Sequence, residues 1–313
     1  MSYFQKLTEA KEKVVEELNE RGIKTDYLKF GGPGDAPNRK PTVPTDARSE
    51  FLANRAMGDW AENILCDAIR ATRNDWQVTH YGNADSMAAG EAGFKAFYLA
   101  GLEEVRLYGK RPDLLLFPKS AKMPDSISAE PFTKVDPLVS KAIGALEVRS
   151  SKFEAQKYMR VRAHEKQSGK KSGREVPSFT VKVEDLKIVF RWIERYRRPQ
   201  AYAQVFFDSV YVINVLQIFD TIGSGKGFVI EKPAKSQEKA TIMIPITSGT
   251  CVGRFEAMPR FEAVEKITRL GRHDAYVVPV GGQLTVDCRL LETVLAGEAA
   301  SSDASLTRAS SCK

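Results

Sequence analysis

Two short stretches set a carboxylate at the edge of an apolar run. Pro112-Asp113 precedes Leu114-Leu115-Leu116-Phe117, and Glu147 stands near the end of the run from Ala142 to Val148. Runs of this length fit buried strands, although period alone also admits a short buried helix. On neighbouring strands Asp113 and Glu147 can converge. Two carboxylates a few ångströms apart repel each other, and a divalent cation relieves that repulsion. Hard oxygen ligands of this kind suit Mg2+, which keeps several waters and needs only one or two protein carboxylates.

A cation completes the set. Arg149 follows Glu147 by two residues, so on a strand both side chains share a face, and Lys152 lies just beyond. A carboxylate pair with a cation beside it suits phosphodiester hydrolysis. The metal polarises the phosphoryl oxygen and lowers the pKa of a bound water. The cation offsets the charge that builds up in the transition state. Arg149 keeps its proton under all ordinary conditions, so it can clamp a phosphate but cannot act as a base. Lys152 can take that place beside the phosphate instead or share it.

Pro112-Asp113 followed by Glu147-Val148-Arg149 resembles the PD-(D/E)XK nuclease signature, with Arg in the Lys position. The text Leu146-Glu147-Val148-Arg149-Ser150-Ser151-Lys152-Phe153, with Ala203-Gln204-Val205-Phe206-Phe207-Asp208-Ser209-Val210-Tyr211 later, resembles type II restriction endonucleases of the AccI-like group. The likeness runs from about residue 45 to 290. It implies a mixed central sheet flanked by helices, an α/β fold. It also implies Mg2+-dependent cleavage of double-stranded DNA at a short palindrome, GTMKAC-like for this group, leaving 5′-phosphate ends. Asp113 and Glu147 would hold the metal with the Val148 carbonyl as third ligand. A homodimer would match the two-fold symmetry of the site. A helical Glu before the first strand often reaches the metal in such nucleases, and Gly58-Asp59-Trp60-Ala61-Glu62 resembles that pattern. Glu62 in a surface ion pair on its helix is the competing reading. Some relatives move the second carboxylate to the next helix, where Glu165 stands.

Composition agrees with a soluble protein that meets a polyanion. The 313 residues carry a net charge of +7, with a pI near 9.1, and 313 residues can bury a full core. Cys66, Cys251, Cys288 and Cys312 form no CxxC pair and the three histidines are far apart, which argues against a zinc site and fits a reducing cytosol; the resemblance implies a prokaryotic cytoplasm. The N-terminus has no apolar signal core, and no stretch approaches the roughly 20 apolar residues of a membrane span.

The order of elements follows from periodicity. Residues 2–21 read as a helix stopped by Gly22, and residues 46–73 as a long helix whose apolar face includes Trp60, Ile64 and Ile69. The Gly- and Pro-rich residues 31–45 read as a crossing loop. Trp76 to Tyr81 reads as a strand, Phe94 to Leu102 as a helix, and residues 118–140 as an excursion between the two carboxylate strands. Residues 153–166 can be helical, and residues 167–177 form a basic arm. Lys157, Arg160, Arg162, Lys170, Lys171 and Arg174 make this region a candidate DNA-backbone contact, against the alternative of a solvated surface.

Residues 178–183 read as a strand and Val183 to Tyr196 as a helix. Arg195 and Arg198 crowd the end of that helix, where they either complement the helix dipole or read DNA bases. Residues 202–213 form a central-strand pattern that Asp208 interrupts as a turn or edge residue. Gly223-Ser224-Gly225-Lys226-Gly227 is not a P-loop, because Asp220 and Gly227 stand where Gly and Ser or Thr are required. Thr241 to Ile246 reads as a strand, Thr247 to Phe255 as a loop, Phe261 to Leu270 as a helix and Tyr276 to Val280 as a strand. The expected organisation is an N-terminal helix and irregular arm over 1–45, a nuclease domain over 46–296, and a disordered tail over 297–313. Two other functions compete with restriction: a nuclease that reads DNA structure, and a DNA-binding protein with structural carboxylates.

Overall fold

Helix α1 (Tyr3–Glu20) begins at a reciprocal cap: Ser2 Oγ accepts from the Gln5 N–H, and Gln5 Oε1 accepts from the Ser2 N–H. Leu7, Ala10, Val14 and Leu18 form its buried stripe. Gly22 follows at φ +68°, a left-handed conformation that costs glycine little. The computed structural model describes residues 2–23, 49–82, 92–168, 176–231, 240–267 and 273–297. The expected loop at 31–45, most of the basic arm and the tail beyond Gly297 lie outside them.

A mixed sheet of seven strands forms the centre, in the order β1 (Trp76–His80), β2 (Leu114–Pro118), β3 (Gly144–Ser150), β5 (Gln200–Val205), β6 (Ser209–Asn214), β9 (Thr250–Ala257) and β12 (Gln283–Val286). Helix α3 (Phe94–Tyr108) lies between β1 and β2 in the chain, where the sequence reading expects one. β3 and β5 are parallel, and the crossover between them carries α5 (Ala155–Gln167), β4 (Ser178–Lys182) and α6 (Val183–Tyr196). The other neighbours in this sheet are antiparallel.

The unbroken apolar text of β2, and that of β3 interrupted by Gly144 and Glu147, reflects burial on both faces. Leu114, Leu116, Leu146 and Val148 point to one side, into a core with α2 (Ser49–Thr72) and α8 (Cys288–Leu295). Leu115, Phe117 and Ala145 point to the other, where α1, α4 (Phe132–Val139), α6 and α7 (Val215–Gly223) pack. Helices on both faces of a mixed sheet make this the expected α/β fold. Among the described residues, no helix is long and apolar enough to cross a membrane.

Several elements differ from the sequence reading. Residues 202–213 are not one strand but the hairpin β5–β6, and Asp208 is in its turn, as its interruption of the apolar pattern implied. The expected loop over 247–255 is largely β9, where Gly253 lets β12 approach: an added Cβ would lie 3.0 Å from the Thr285 carbonyl oxygen. The expected helix over 261–270 is strand β10 (Arg260–Ile267), paired with β11 (His273–Val280). This ribbon exposes residues of both parities, so it has no buried stripe of either period to read. The excursion over 118–140 contains α4, despite Pro137. α7 ends at Gly223, so the rejected P-loop text is a helix terminus followed by a turn. β4, β8 (Thr241–Pro245) and β7 (Val229–Glu231) form a separate three-stranded sheet.

Candidate active site

Strand register brings the two carboxylates together. β2 and β3 pair Leu114 with Leu146 and Leu115 with Ala145, so one step further sets Asp113 opposite Glu147. Alternation places Asp113, Glu147 and Arg149 on the side of Leu115 and Ala145, the side covered by α6. The ladder continues past the end of β2 through a side chain, because the Val148 N–H donates to Asp113 Oδ2 at 2.6 Å. Val148 therefore presents its backbone to Asp113.

Two further residues reach this point from the α6 side. The Lys110 N–H donates to the Ile188 carbonyl on α6 at 3.0 Å. Gly109 just before it has φ +89°, and a Cβ there would lie 2.5 Å from both the Ile188 oxygen and the Trp192 nitrogen. Only glycine fits that close turn, which aims Lys110 at β3. Lys110 Nζ is hydrogen-bonded to Glu147 Oε1. Arg149 Nη2 also lies 2.9 Å from Glu147 Oε1 and 3.3 Å from Asp185 Oδ2 on α6, while Lys110 Nζ is 3.8 Å from that same Asp185 oxygen.

The electrostatics are those of a crowded carboxylate site. Glu147 is 1 % exposed. Both cations gather on its Oε1, and among the described residues its buried Oε2 has no hydrogen-bond partner. Burial, then the charges of Glu147 and Glu62, push the Asp113 carboxyl well above its ordinary range. Burial lowers the affinity of Lys110 for its proton, but the charges of Glu147, Asp185 and Asp113 together outweigh it and the ammonium is held above its usual value. Arg149 is likewise raised: burial opposes its charge, but Glu147, Tyr202, Asp185 and Asp113 together overcome that cost.

Asp113 opens onto a cleft of about 710 Å³ lined also by Glu62, His80, Gly82, Lys110 and Arg111. Glu62 comes from α2, its Oε2 3.8 Å from His80 Nδ1. Contact with the Cys66 side chain and then with Glu62 raises His80 to about 9, so the imidazolium faces the cleft at neutral pH. Arg111 is buried as a scaffold, its guanidinium 4.3 Å from the Phe132 ring centre and 5.3 Å from that of Tyr81.

Asp113, Glu147, Val148 and Arg149 thus meet, and of these Asp113 lines the cleft, where Glu62 joins it. Lys152 does not: it is exposed on a bend beyond β3 and is not among the residues lining the cleft. Glu165 is on α5, away from the cleft lining. Lys157 and Arg160 are exposed on α5, whereas Arg162 lies 3.5 Å from the Tyr158 hydroxyl. Arg195 is engaged by both oxygens of Asp136, and Arg198 donates to the Ser140 carbonyl, so these guanidinia serve contacts within the protein. Lys170, Lys171 and Arg174 lie outside the described residues.

Sequence reasoning missed Lys110 and Asp185. Lys110 stands three residues before Asp113 and was legible as a neighbouring cation, but its direction depends on the Gly109 turn. Asp185 reads as a first-turn helix acid and gives no hint of β3.

The donor set fits a hard divalent cation. It offers an orphaned buried carboxylate oxygen on Glu147, a second carboxylate whose ionised form is penalised by its neighbours, and the adjacent Val148 backbone. Among the described residues no three His, Cys, Asp or Glu side chains form a cage by themselves, so one or two carboxylates and solvent would have to suffice.

The mixed sheet with helices on both faces defines an α/β, nuclease-like protein. The model of the AccI restriction endonuclease family matches residues 13–173 and 161–301, and the chain belongs to that family. The family is one of site-specific deoxyribonucleases, so the substrate class is DNA. No curated protein and no solved structure matches the chain.

Proposed function

We propose that this chain is a type II restriction endonuclease that hydrolyses double-stranded DNA at a short palindrome with Mg2+, acts as a homodimer and leaves 5′-phosphate ends. The observation that carries the chemistry is the meeting of Asp113 and Glu147 across β2 and β3, with Glu147 Oε2 unpartnered. Asp113, Glu147 and the Val148 carbonyl would hold the metal, which when bound supplies a Lewis acid and an acidified water. Arg149 binds the scissile phosphate through its guanidinium fork and offsets charge there. The cleft orients the backbone beside Asp113, and Glu62 adds a second carboxylate to its lining. The exposed cations of α5 contribute salt-dependent affinity.

The pairing of Glu147 with Lys110 and Arg149 favours a second reading, in which the carboxylates are structural and the protein only binds DNA. Digestion of phage DNA, with Mg2+ in one arm and EDTA in the other, separates these readings. Discrete bands only with Mg2+ are expected, and mapping their ends gives the site and the stagger. DNA binding without cleavage across several DNAs and metals would establish the second reading. A Mg2+-dependent smear would point to a nuclease that reads DNA structure.

A further inference from the structure

We propose that Lys110, which precedes the Pro112-Asp113 motif, supplies the ammonium group of the cleavage reaction, and that Asp185 on α6 is its positioning residue. The inference rests on the nuclease reading above and names a residue within it. A lysine is absent from the β3 position two residues beyond Glu147, which Arg149 fills. The next lysine along the chain, Lys152, is exposed on a bend and does not line the cleft. Lys110 lines the cleft beside Asp113, its side chain is 26 % exposed, and its Nζ is already on Glu147 Oε1. An ammonium at that point touches Glu147 and borders the cleft that Asp113 also lines.

The surroundings hold it there. The Gly109 turn cannot relax toward a bulkier residue, and the Lys110 N–H is tied to Ile188. Asp185 lies within 3.8 Å of Lys110 Nζ and 3.3 Å of Arg149 Nη2, so one carboxylate on α6 spans both cations. With Asp185 as a second anchor, Lys110 can leave Glu147 Oε1 to a metal without being released into solvent. In the hydrolysis, a water oxygen bonds to phosphorus as the bond from phosphorus to the 3′ oxygen breaks, and one water proton ends on that 3′ oxygen. Lys110 stays protonated throughout and offsets the negative charge gathering on the phosphoryl oxygens.

The test compares full-length K110A, K110Q, K152A, D185N and D185E with the parent protein in single-turnover cleavage. Ca2+-supported DNA binding by anisotropy and Mg2+ binding by calorimetry are read alongside. K110A is expected to slow cleavage by about 10²–10³-fold, the usual loss for one charge-stabilising donor. Its DNA affinity should stay within about threefold, and its Mg2+ affinity should be unchanged or tighter because a competitor for Glu147 is gone. K152A should cleave within about threefold of the parent. D185N should lower the single-turnover rate with little change in DNA affinity, and D185E should recover part of it. If K110A melts below the assay temperature, K110Q carries the same test, since it keeps a donor for Glu147 without the charge.

Cleavage by K110A or K110Q at the parental rate, or weakened Mg2+ binding as the sole cause of their loss, would overturn the proposal. D113A serves as the reference. If D113A is inert while K110A is active, only the role of Lys110 fails; if D113A cleaves, the underlying nuclease reading fails.

Discussion

The Val148 N–H donates to Asp113 Oδ2 at 2.6 Å, so the Asp113 carboxylate takes the place of the next backbone acceptor in the β2–β3 ladder. That one bond locks a side chain to the register of the sheet. It holds Asp113 facing Glu147 despite the repulsion between them.

Asp113→Asn tests that arrangement. The amide keeps an acceptor oxygen for Val148 but removes the charge. Cleavage should fall by about 10³-fold or more, in keeping with the several kcal/mol a metal supplies to phosphoryl chemistry. DNA binding in Ca2+ should persist. Metal-free stability should change the other way. Burial and the neighbouring carboxylates raise the Asp113 carboxyl in the folded state, so the parent loses stability as pH rises from the ordinary carboxylate range through that raised value. The substituted amide does not titrate. The variant should therefore melt at a higher temperature than the parent at neutral pH, and a lower melting temperature there would contradict this account of the site.

Gly82 lies against the same carboxylate. A Cβ at this position would lie 3.2 Å from both Asp113 Cα and Asp113 Oδ1. The Gly82 N–H also donates to the Asp113 carbonyl at 3.1 Å, so the two backbones cannot separate freely. Gly82→Ala should displace Asp113 by a few tenths of an ångström and slow cleavage by about tenfold, with a small effect on melting temperature. Unchanged single-turnover rates would show that the site tolerates the shift.

Gly109→Ala should act on stability first. The added methyl meets backbone atoms of Ile188 and Trp192 at 2.5 Å, and φ +89° is unfavourable for alanine. The cost should be about 3 kcal/mol or more, because both strain and overpacking are imposed on the core helix α6. Urea denaturation measures it directly.

His80 gives a pH dependence of defined sign. Contact with Cys66 and with Glu62 raises it from 6.5 to about 9 in the folded protein. Its contribution to stability is fully present below pH 6.5 and is lost as pH rises through about 9. The loss is at most about 3.5 kcal/mol, given about 1.4 kcal/mol per pH unit. His80→Gln should flatten the stability profile over this interval relative to the parent. Parallel profiles would show that the imidazole is not held by these partners.

The sequence by itself determined the carboxylate pair, its place on two buried strands, the Arg two residues beyond Glu147 and the α/β class. These features are local: four successive apolar residues in one strand and a run broken only by Gly144 and Glu147 in the other declare strands buried on both faces, and alternation assigns the sides of Glu147 and Arg149 without knowledge of the neighbours. The same local logic failed at Phe261 to Ile267, because a ribbon exposed on both faces has no buried period to show. Only the tertiary structure decided which cations face the carboxylates. Lys152 is nearer to Glu147 in the chain, yet Lys110 makes the contact, because the left-handed Gly109 turn rests on α6 and directs the side chain across to β3. Asp185 enters for the same reason: the crossover from β3 to β5 lays the first turn of α6 over Arg149. Contacts of this kind depend on how distant segments pack, and residue spacing along the chain does not encode that distance.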